Sequence, residues 1–236
     1  MTTGQPVEGV IFDKDGTLFD FAATWEAWAE TFLLRASGGD RARAAVVGRG
    51  IGFDLERRKF ARDSVVISST AGEVAEALMP FYPQMSRTAI FDMLNEEAAR
   101  APQREAVPLV AFLTGLRARG LRLGVATNDA EAPALAHLAG AGLTELFDFI
   151  AGFDSGFGGK PAPGQLLAFA EAMGLAPARI VMVGDSTHDL RAGRAAGMRT
   201  VAVLTGIALR EELAPHADVV LPDIGHLPGW LDAQAR

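Results

Sequence analysis

The sequence contains no cysteine, which excludes disulfides, thiolate metal centres and a cysteine nucleophile. Histidine is scarce as well, with four copies, and His137, His216 and His226 stand at no metal-ligating spacing. Any metal site must use oxygen or histidine, and the histidines offer little. No apolar run approaches the roughly 18 residues that span a bilayer, so no membrane partner is expected. Met1 to Glu8 lacks the basic and apolar regions of a signal peptide, and a cytoplasmic location is the expectation. Positive charge is in deficit: 22 Lys and Arg against 29 Asp and Glu give a net −7. That balance argues against a nucleic-acid partner. There is no internal repeat and no low-complexity tract.

What remains is a chain of 236 residues, 49% hydrophobic and 22% charged. It is long enough for one large domain, or for a core carrying an inserted smaller one. Val7 and Val10–Phe12 form an apolar first strand. Helical spacing follows over Phe21–Ser37 (Trp25, Trp28, Phe32, Leu33), then Asp40–Val47, Ala71–Met79 and Ser86–Ala101, with Pro80, Pro83 and Pro102 as breakers. Ser64–Ser69 fits either a short strand or an irregular link. From Val107 the pattern changes. Helices are expected at Pro108–Arg119, Glu131–Ala141, Ala162–Met173 and Leu190–Ala196, alternating with strands at Leu121–Ala126, Phe149–Ala151, Ile180–Val183, Thr200–Leu204 and Val219–Leu221. Such alternation predicts an α/β fold, a doubly wound, Rossmann-like parallel sheet covered on both faces. Its core is assigned to residues 1–20 and 103–236, with an all-helical block at 21–102 inserted after the first strand.

Ligands of open parallel sheets sit outside the carboxyl ends of the strands. The first strand ends in Asp13-Lys14-Asp15-Gly16-Thr17 and the second in Thr127-Asn128-Asp129. Ile180–Val183 runs into Gly184-Asp185-Ser186-Thr187-His188-Asp189, and the loop before it carries Gly158-Gly159-Lys160-Pro161. Each has an ordinary alternative, a strand-terminal Asp as a helix N-cap or Thr-Asn as a turn pair. Four such groups on one edge, in order, argue for a shared site. Asp13, Asp15, Asp185 and Asp189 bring four negative charges against one from Lys160, and repulsion that close raises carboxylate pKa values. A hard divalent cation relieves it, and Mg²⁺ suits few carboxylates with room for waters and phosphate. With a proton on Asp15 the occupied site is formally near neutral.

At these residues the chain resembles the haloacid dehalogenase-like hydrolase superfamily, in its phosphoglycolate phosphatase-like branch. The resemblance rests on Asp13–Thr17, Thr127-Asn128, Lys160 and Gly184–Asp189 in that order, and spans roughly 7 to 205. It implies that residues 21–102 are a helical cap domain. It also implies that Asp13 is a nucleophile forming an aspartyl-phosphate, with Asp15 as acid and then base. Thr127 and the Asn128 backbone would bind phosphoryl oxygens, and Lys160 would offset charge on Asp13 and the phosphoryl group. Mg²⁺ would be held by Asp13, Asp185 and the backbone carbonyl of Asp15, with Asp189 supporting Lys160 or a metal-bound water. An acid at position 15 favours an alkoxide over a halide leaving group.

The expected activity is thus a Mg²⁺-dependent phosphatase on a small phosphorylated metabolite, with phosphoglycolate the first choice by resemblance. A phosphosugar or nucleotide monophosphatase, a phosphomutase and a non-catalytic phospholigand-binding protein are the alternatives. A monomer or homodimer is expected. Two positions depart from the family pattern: Lys14 replaces a common Leu or Met, and Phe21 follows Asp20 in place of Ser or Thr. Lys14 either reaches the substrate's anionic end or points into solvent. Gly48-Arg49-Gly50-Ile51-Gly52 lacks dinucleotide-turn spacing and is expected to be a flexible loop over the site. Arg57, Arg58, Lys59 and Arg62 are assigned to a solvated face, the alternative being one arginine on a substrate anion. His188 is expected to face outward from the first turn of a helix. Trp25 belongs to the aromatic core of the block or lines the cleft.

Overall fold

The computed structural model describes residues 6–234. The first five and last two residues of the expected core, with most of the stretch judged for a signal peptide, lie outside the described residues. The chain begins with β1 (Gly9–Phe12) and passes through α1 (Phe21–Ala36), α2 (Arg41–Gly50), β2 (Phe53–Asp54), β3 (Lys59–Phe60), α3 (Val65–Ser68), α4 (Ala71–Leu78) and α5 (Arg87–Ala98). It continues with α6 (Leu109–Ala118), β4 (Arg122–Ala126), α7 (Glu131–Gly140), β5 (Phe149–Ala151), α8 (Gly164–Met173) and β6 (Ile180–Gly184). α9 (Thr187–Ala195), β7 (Arg199–Val203), α10 (Arg210–Leu213), β8 (Val219–Leu221) and α11 (Leu227–Gln234) complete it. No helix among the described residues is long and apolar enough to cross a membrane.

Six strands form one parallel sheet in the order β5-β4-β1-β6-β7-β8. β1 sits at its centre, Phe12 being level with Val125 of β4 and Val183 of β6. The chain builds outward to β5 and then returns to the other side of β1, so the topological switch point falls at β1. Alternation along β1 explains its all-apolar sequence. Val10 and Phe12 pack with Leu109, Leu113, Leu123 and Leu138 on one face, while Ile11 packs with Leu166, Phe169 and Met182 on the other.

Residues of α1, α2, α4 and α5 form a separate apolar cluster that includes Trp28, Phe32, Val47, Leu78, Ile90 and Leu94. Trp28 stacks on Phe32 at 5.6 Å, and its ring nitrogen donates to the Leu94 carbonyl at 3.1 Å. The helical block also contains something its periodicity does not foretell, the antiparallel pair β2–β3 with Phe53 opposite Phe60. Asp54 makes the turn by accepting from the backbone N–H groups of Glu56 and Arg57, with Arg58 at φ 55°, and the two phenyl rings meet at 4.8 Å. Ser64–Ser69 proves to hold the short helix α3, capped by the Ser64 hydroxyl, which accepts from Val66 N.

The glycine-rich stretch is not a flexible loop. Gly48 and Gly50 lie in the last turns of α2, where a Cβ on Gly48 would meet the Phe53 carbonyl oxygen at 2.9 Å. The glycine there permits close approach of helix and hairpin. Chain enters and leaves the helical block side by side: Asp20 N donates to Arg104 O and Ala106 N to Leu18 O. Asp20 and Arg104 also form an ion pair across this junction.

Candidate active site

Strand ends bring the expected residues together. Asp13, Asp15, Thr127, Asn128, Lys160, Asp185 and Asp189 all line one cleft, whose opposite wall comes from the helical block. Asp13 follows β1 directly, and its N–H donates to Val183 O. Gly16 then turns the chain at φ +80°, where a Cβ would collide with the Asp185 carboxylate at 2.4 Å. The chain can fold back beside Asp185 only because this residue is glycine. Gly206 approaches the same carboxylate from the loop after β7, and Thr205 Oγ1 donates to Gly16 O at 2.5 Å.

Lys160 is the cationic centre of the cleft. Its Nζ donates to Asp13 Oδ1 at 2.6 Å, Asp189 Oδ1 at 2.6 Å and the Ala126 carbonyl at 2.7 Å. An ammonium has three donors, so this one has none spare. Burial works against its charge, but the two carboxylates outweigh burial and hold the pKa above the ordinary lysine value. Asn128 fixes the loop that presents it, its side chain donating to Lys160 O at 2.9 Å and accepting from Lys160 N at 2.8 Å. Thr127 Oγ1 accepts from Asp129 N at 3.1 Å, which orients the hydroxyl at the end of β4.

Burial raises Asp13 to about 7, opposed by Lys160 and reinforced by Asp189 and Asp15. Asp185 is raised as well, first by burial and then by Asp13 and Asp189. Carboxylate oxygens of Asp13, Asp185 and Asp189 all lie within 4.8 Å of one another. Asp189 is already committed, since its Oδ2 accepts from Ser186 N and Oγ in the cap of α9. Asp13 Oδ2 and the Asp185 carboxylate carry the uncompensated charge. An all-oxygen, over-acidic donor set of this kind fits a hard divalent cation.

Lys14 does neither of the things its sequence context allowed. It is fully buried, pointing towards neither solvent nor the cleft. Alternation places it on the face of the sheet covered by α6 and α7, opposite to Asp13. Its Nζ lies 2.8 and 2.7 Å from the two Asp15 oxygens, 3.2 Å from Asp129 Oδ2 and 2.9 Å from His137 Nδ1. Trp25 covers the group, with its ring centroid 5.6 Å away. Burial lowers the Lys14 pKa, but Asp15 and Asp129 outweigh it and leave a net rise. Burial pushes Asp129 up to about 6 against the pull of Lys14, and pushes His137 down to about 4, aided by Lys14.

Asp129 and His137 are thus site-adjacent residues to which sequence reasoning gave no role. Asp129 carried a signal, a third polar residue on the same strand end. His137 carried none, because its partner is 123 positions away. His188 is half-buried and lines the cleft, contrary to the outward orientation expected. It is the second residue of α9, two positions after the Ser186 cap, in the helix turn that begins beside Asp185. Trp25 lines the cleft too. Arg57, Arg58, Lys59 and Arg62 stay exposed and pair with Asp54, Glu30, Glu26 and Glu212, respectively.

Fold and site define the class, a doubly wound α/β protein with an acidic, lysine-centred cleft at the switch point of its sheet. The family model of the haloacid dehalogenase-like hydrolases matches residues 7–197, and the chain belongs to that family. A phosphoglycolate phosphatase from Rhodospirillum rubrum is 30% identical over 236 residues, covering 95% of this chain and 90% of that protein. The phosphoglycolate phosphatase of Escherichia coli K12 is 30% identical over 232 residues, with the same coverage. Among solved structures, CbbY from Rhodobacter sphaeroides in complex with phosphate superposes with a TM-score of 0.69 at 21% identity, covering 96% of this chain and 99% of that one. The chain is a phosphatase, a phosphoric monoester hydrolase of this family.

Proposed function

We propose that the enzyme hydrolyses a small phosphate monoester with Mg²⁺ bound by Asp13, Asp185 and the backbone carbonyl of Asp15. The observation that carries this reading is Asp13. It directly follows the central strand, is held by Lys160 through one oxygen at 2.6 Å, and has no hydrogen-bond partner among the described residues for its other oxygen in the cleft. When bound, Mg²⁺ would neutralise the carboxylates and charge developing on the phosphoryl oxygens.

That other Asp13 oxygen attacks phosphorus, the ester P–O bond breaks, and protonated Asp15 gives its proton to the departing alkoxide. Water then attacks the aspartyl-phosphate, Asp15 takes a proton from that water, and the bond from phosphorus to Asp13 breaks. Thr127 Oγ1 and the Asn128 N–H hold phosphoryl oxygens while Lys160, fixed by three acceptors, favours the ionised form of Asp13 and holds it in line. Asp189 supports Lys160. Residues 21–102 act as a cap on a core of 1–20 and 103–236, closing the cleft against bulk water. Phosphoglycolate, named for the two curated relatives, is the first ester to assay.

Turnover of p-nitrophenyl phosphate tests the reading. Activity is expected with Mg²⁺, and is expected to vanish with EDTA and in Asp13→Asn. No turnover by the wild type on this and a broad phosphoester panel would favour a phospholigand-binding role, and wild-type rates in Asp13→Asn would exclude Asp13 as nucleophile.

A further inference from the structure

The wall of the cleft facing the phosphate pole is built of hydrocarbon. Phe21, Trp25, Trp28, Val66, Ile67 and Leu94 supply most of it. Trp28 spends its N–H on the Leu94 carbonyl, so it presents only ring surface. Phe21, Trp25 and Trp28 form a run of contacting rings, with centroids 6.5 and 5.2 Å apart. Ser69 and Asn95 interrupt this wall, and Asn95 Oδ1 is buried without a hydrogen-bond partner among the described residues.

Charge is distributed just as unevenly. Among the described residues lining the cleft, Lys160 is the one lysine or arginine, and its donors are all taken. Lys14, the next cation inward, lies behind Trp25 and is bound to Asp15 and Asp129. The arginines of the helical block near the hairpin point outward and are paired there. A carboxylate on the leaving group would enter an apolar wall beside several aspartates and meet no free lysine or arginine among the described residues. Desolvating an unpaired anion there is unfavourable.

From this wall we infer that the preferred substrates are phosphate monoesters of uncharged alcohols with an apolar, ring-sized body, and not esters whose leaving group bears a carboxylate. The unpartnered Asn95 oxygen leaves a place for one hydrogen-bond donor on that body. The inference rests on the phosphatase reading above and specifies its substrate.

The test compares kcat/KM for 2-phenylethyl phosphate, ethyl phosphate and phosphoglycolate in the wild-type enzyme with Mg²⁺. All three release alkoxides, so differences report recognition more than bond chemistry. We expect 2-phenylethyl phosphate to exceed phosphoglycolate by at least tenfold and ethyl phosphate to lie between them. Ile67→Arg, checked for folding by its melting curve, should shift the ratio towards phosphoglycolate by at least tenfold. Phosphoglycolate as the better wild-type substrate would overturn the inference while leaving the phosphatase reading intact. Inactivity on these esters and on p-nitrophenyl phosphate would overturn both. If Ile67→Arg does not fold, the wild-type ratio alone decides.

Discussion

Lys14 Nζ lies 2.9 Å from His137 Nδ1, and His137 Nε2 lies 2.6 Å from the Ala98 carbonyl at the end of α5. A lysine ammonium can only donate, so Nδ1 accepts and the histidine proton sits on Nε2, facing Ala98. The chain of contacts runs from Asp15, at the mouth of β1, through Lys14 and α7 into the helical block. Lys14 also holds both oxygens of Asp15, which fixes that carboxylate's orientation. The position that departs from the family pattern is therefore a buried anchor beneath the proposed acid.

Replacing the anchor should be costly. Lys14→Met leaves Asp15 and Asp129 without their shared cation, and breaking a buried pair from one side destabilises by roughly 3–5 kcal/mol. Urea unfolding at pH 7.5 should show a loss of that order. A loss below about 1 kcal/mol would mean that the carboxylates find other partners.

His137 gives the stability a specific pH dependence. Its folded pKa, about 4, lies below the ordinary value of 6.5. The unfolded chain therefore takes up the proton first, and this contribution is complete above about pH 6.5 and is lost as pH falls towards 4. Asp129 and Asp13, raised to about 6 and about 7, slope the other way, their stabilisation being lost as pH rises through those values. Comparing the wild type with His137→Gln isolates the histidine. The wild type should lose about 3 kcal/mol relative to the variant between pH 6.5 and 4. Parallel stability curves would contradict it.

Divalent metal should bind in competition with protons. Asp13 and Asp185 both have raised pKa values, so a cation must displace protons increasingly as pH falls below about 7. The rise in Tm produced by 5 mM Mg²⁺ over EDTA should be clear at pH 8 and much smaller at pH 6. Asp185→Asn should abolish most of the rise. An equal shift at both pH values would place the ion elsewhere.

The role proposed for Asp15 predicts a dependence on the leaving group. Asp15→Asn should slow alkyl phosphates by about 10²–10⁴-fold and aryl phosphates much less, because a phenolate departs without a proton. Rate constants for 2-phenylethyl and p-nitrophenyl phosphate, measured on one preparation of the variant, make the comparison. Equal losses on both would remove the acid role.

Much of this arrangement was legible in the chain itself. Val10–Phe12 and Ile180–Val183 are uninterrupted apolar runs of strand length rich in β-branched residues, as a strand buried on both faces requires, so the acids that follow them fell on one edge. Lys14 was not legible in the same way. Its neighbours suggested substrate or solvent, but its environment is set by Asp129 and His137, which reach it only once β1 and β4 pair and α7 packs above them. The β2–β3 hairpin escaped because two residues per strand leave no period to detect, and an Asp54 side-chain turn replaces the usual glycine signal. His188 was misplaced because helical phase in a first turn depends on where α9 begins, and Thr187 precedes the apolar residues that marked it.

The paired crossing strands at the junction have a further consequence. Leu18 and Asp20 on the way out are hydrogen-bonded to Ala106 and Arg104 on the way back. A tight turn joining those two points would reseal the chain and leave β1 and its neighbours in register. The chemistry of the sheet edge and the selectivity of the opposite wall are then separately heritable, and one can be exchanged by grafting while the other is kept.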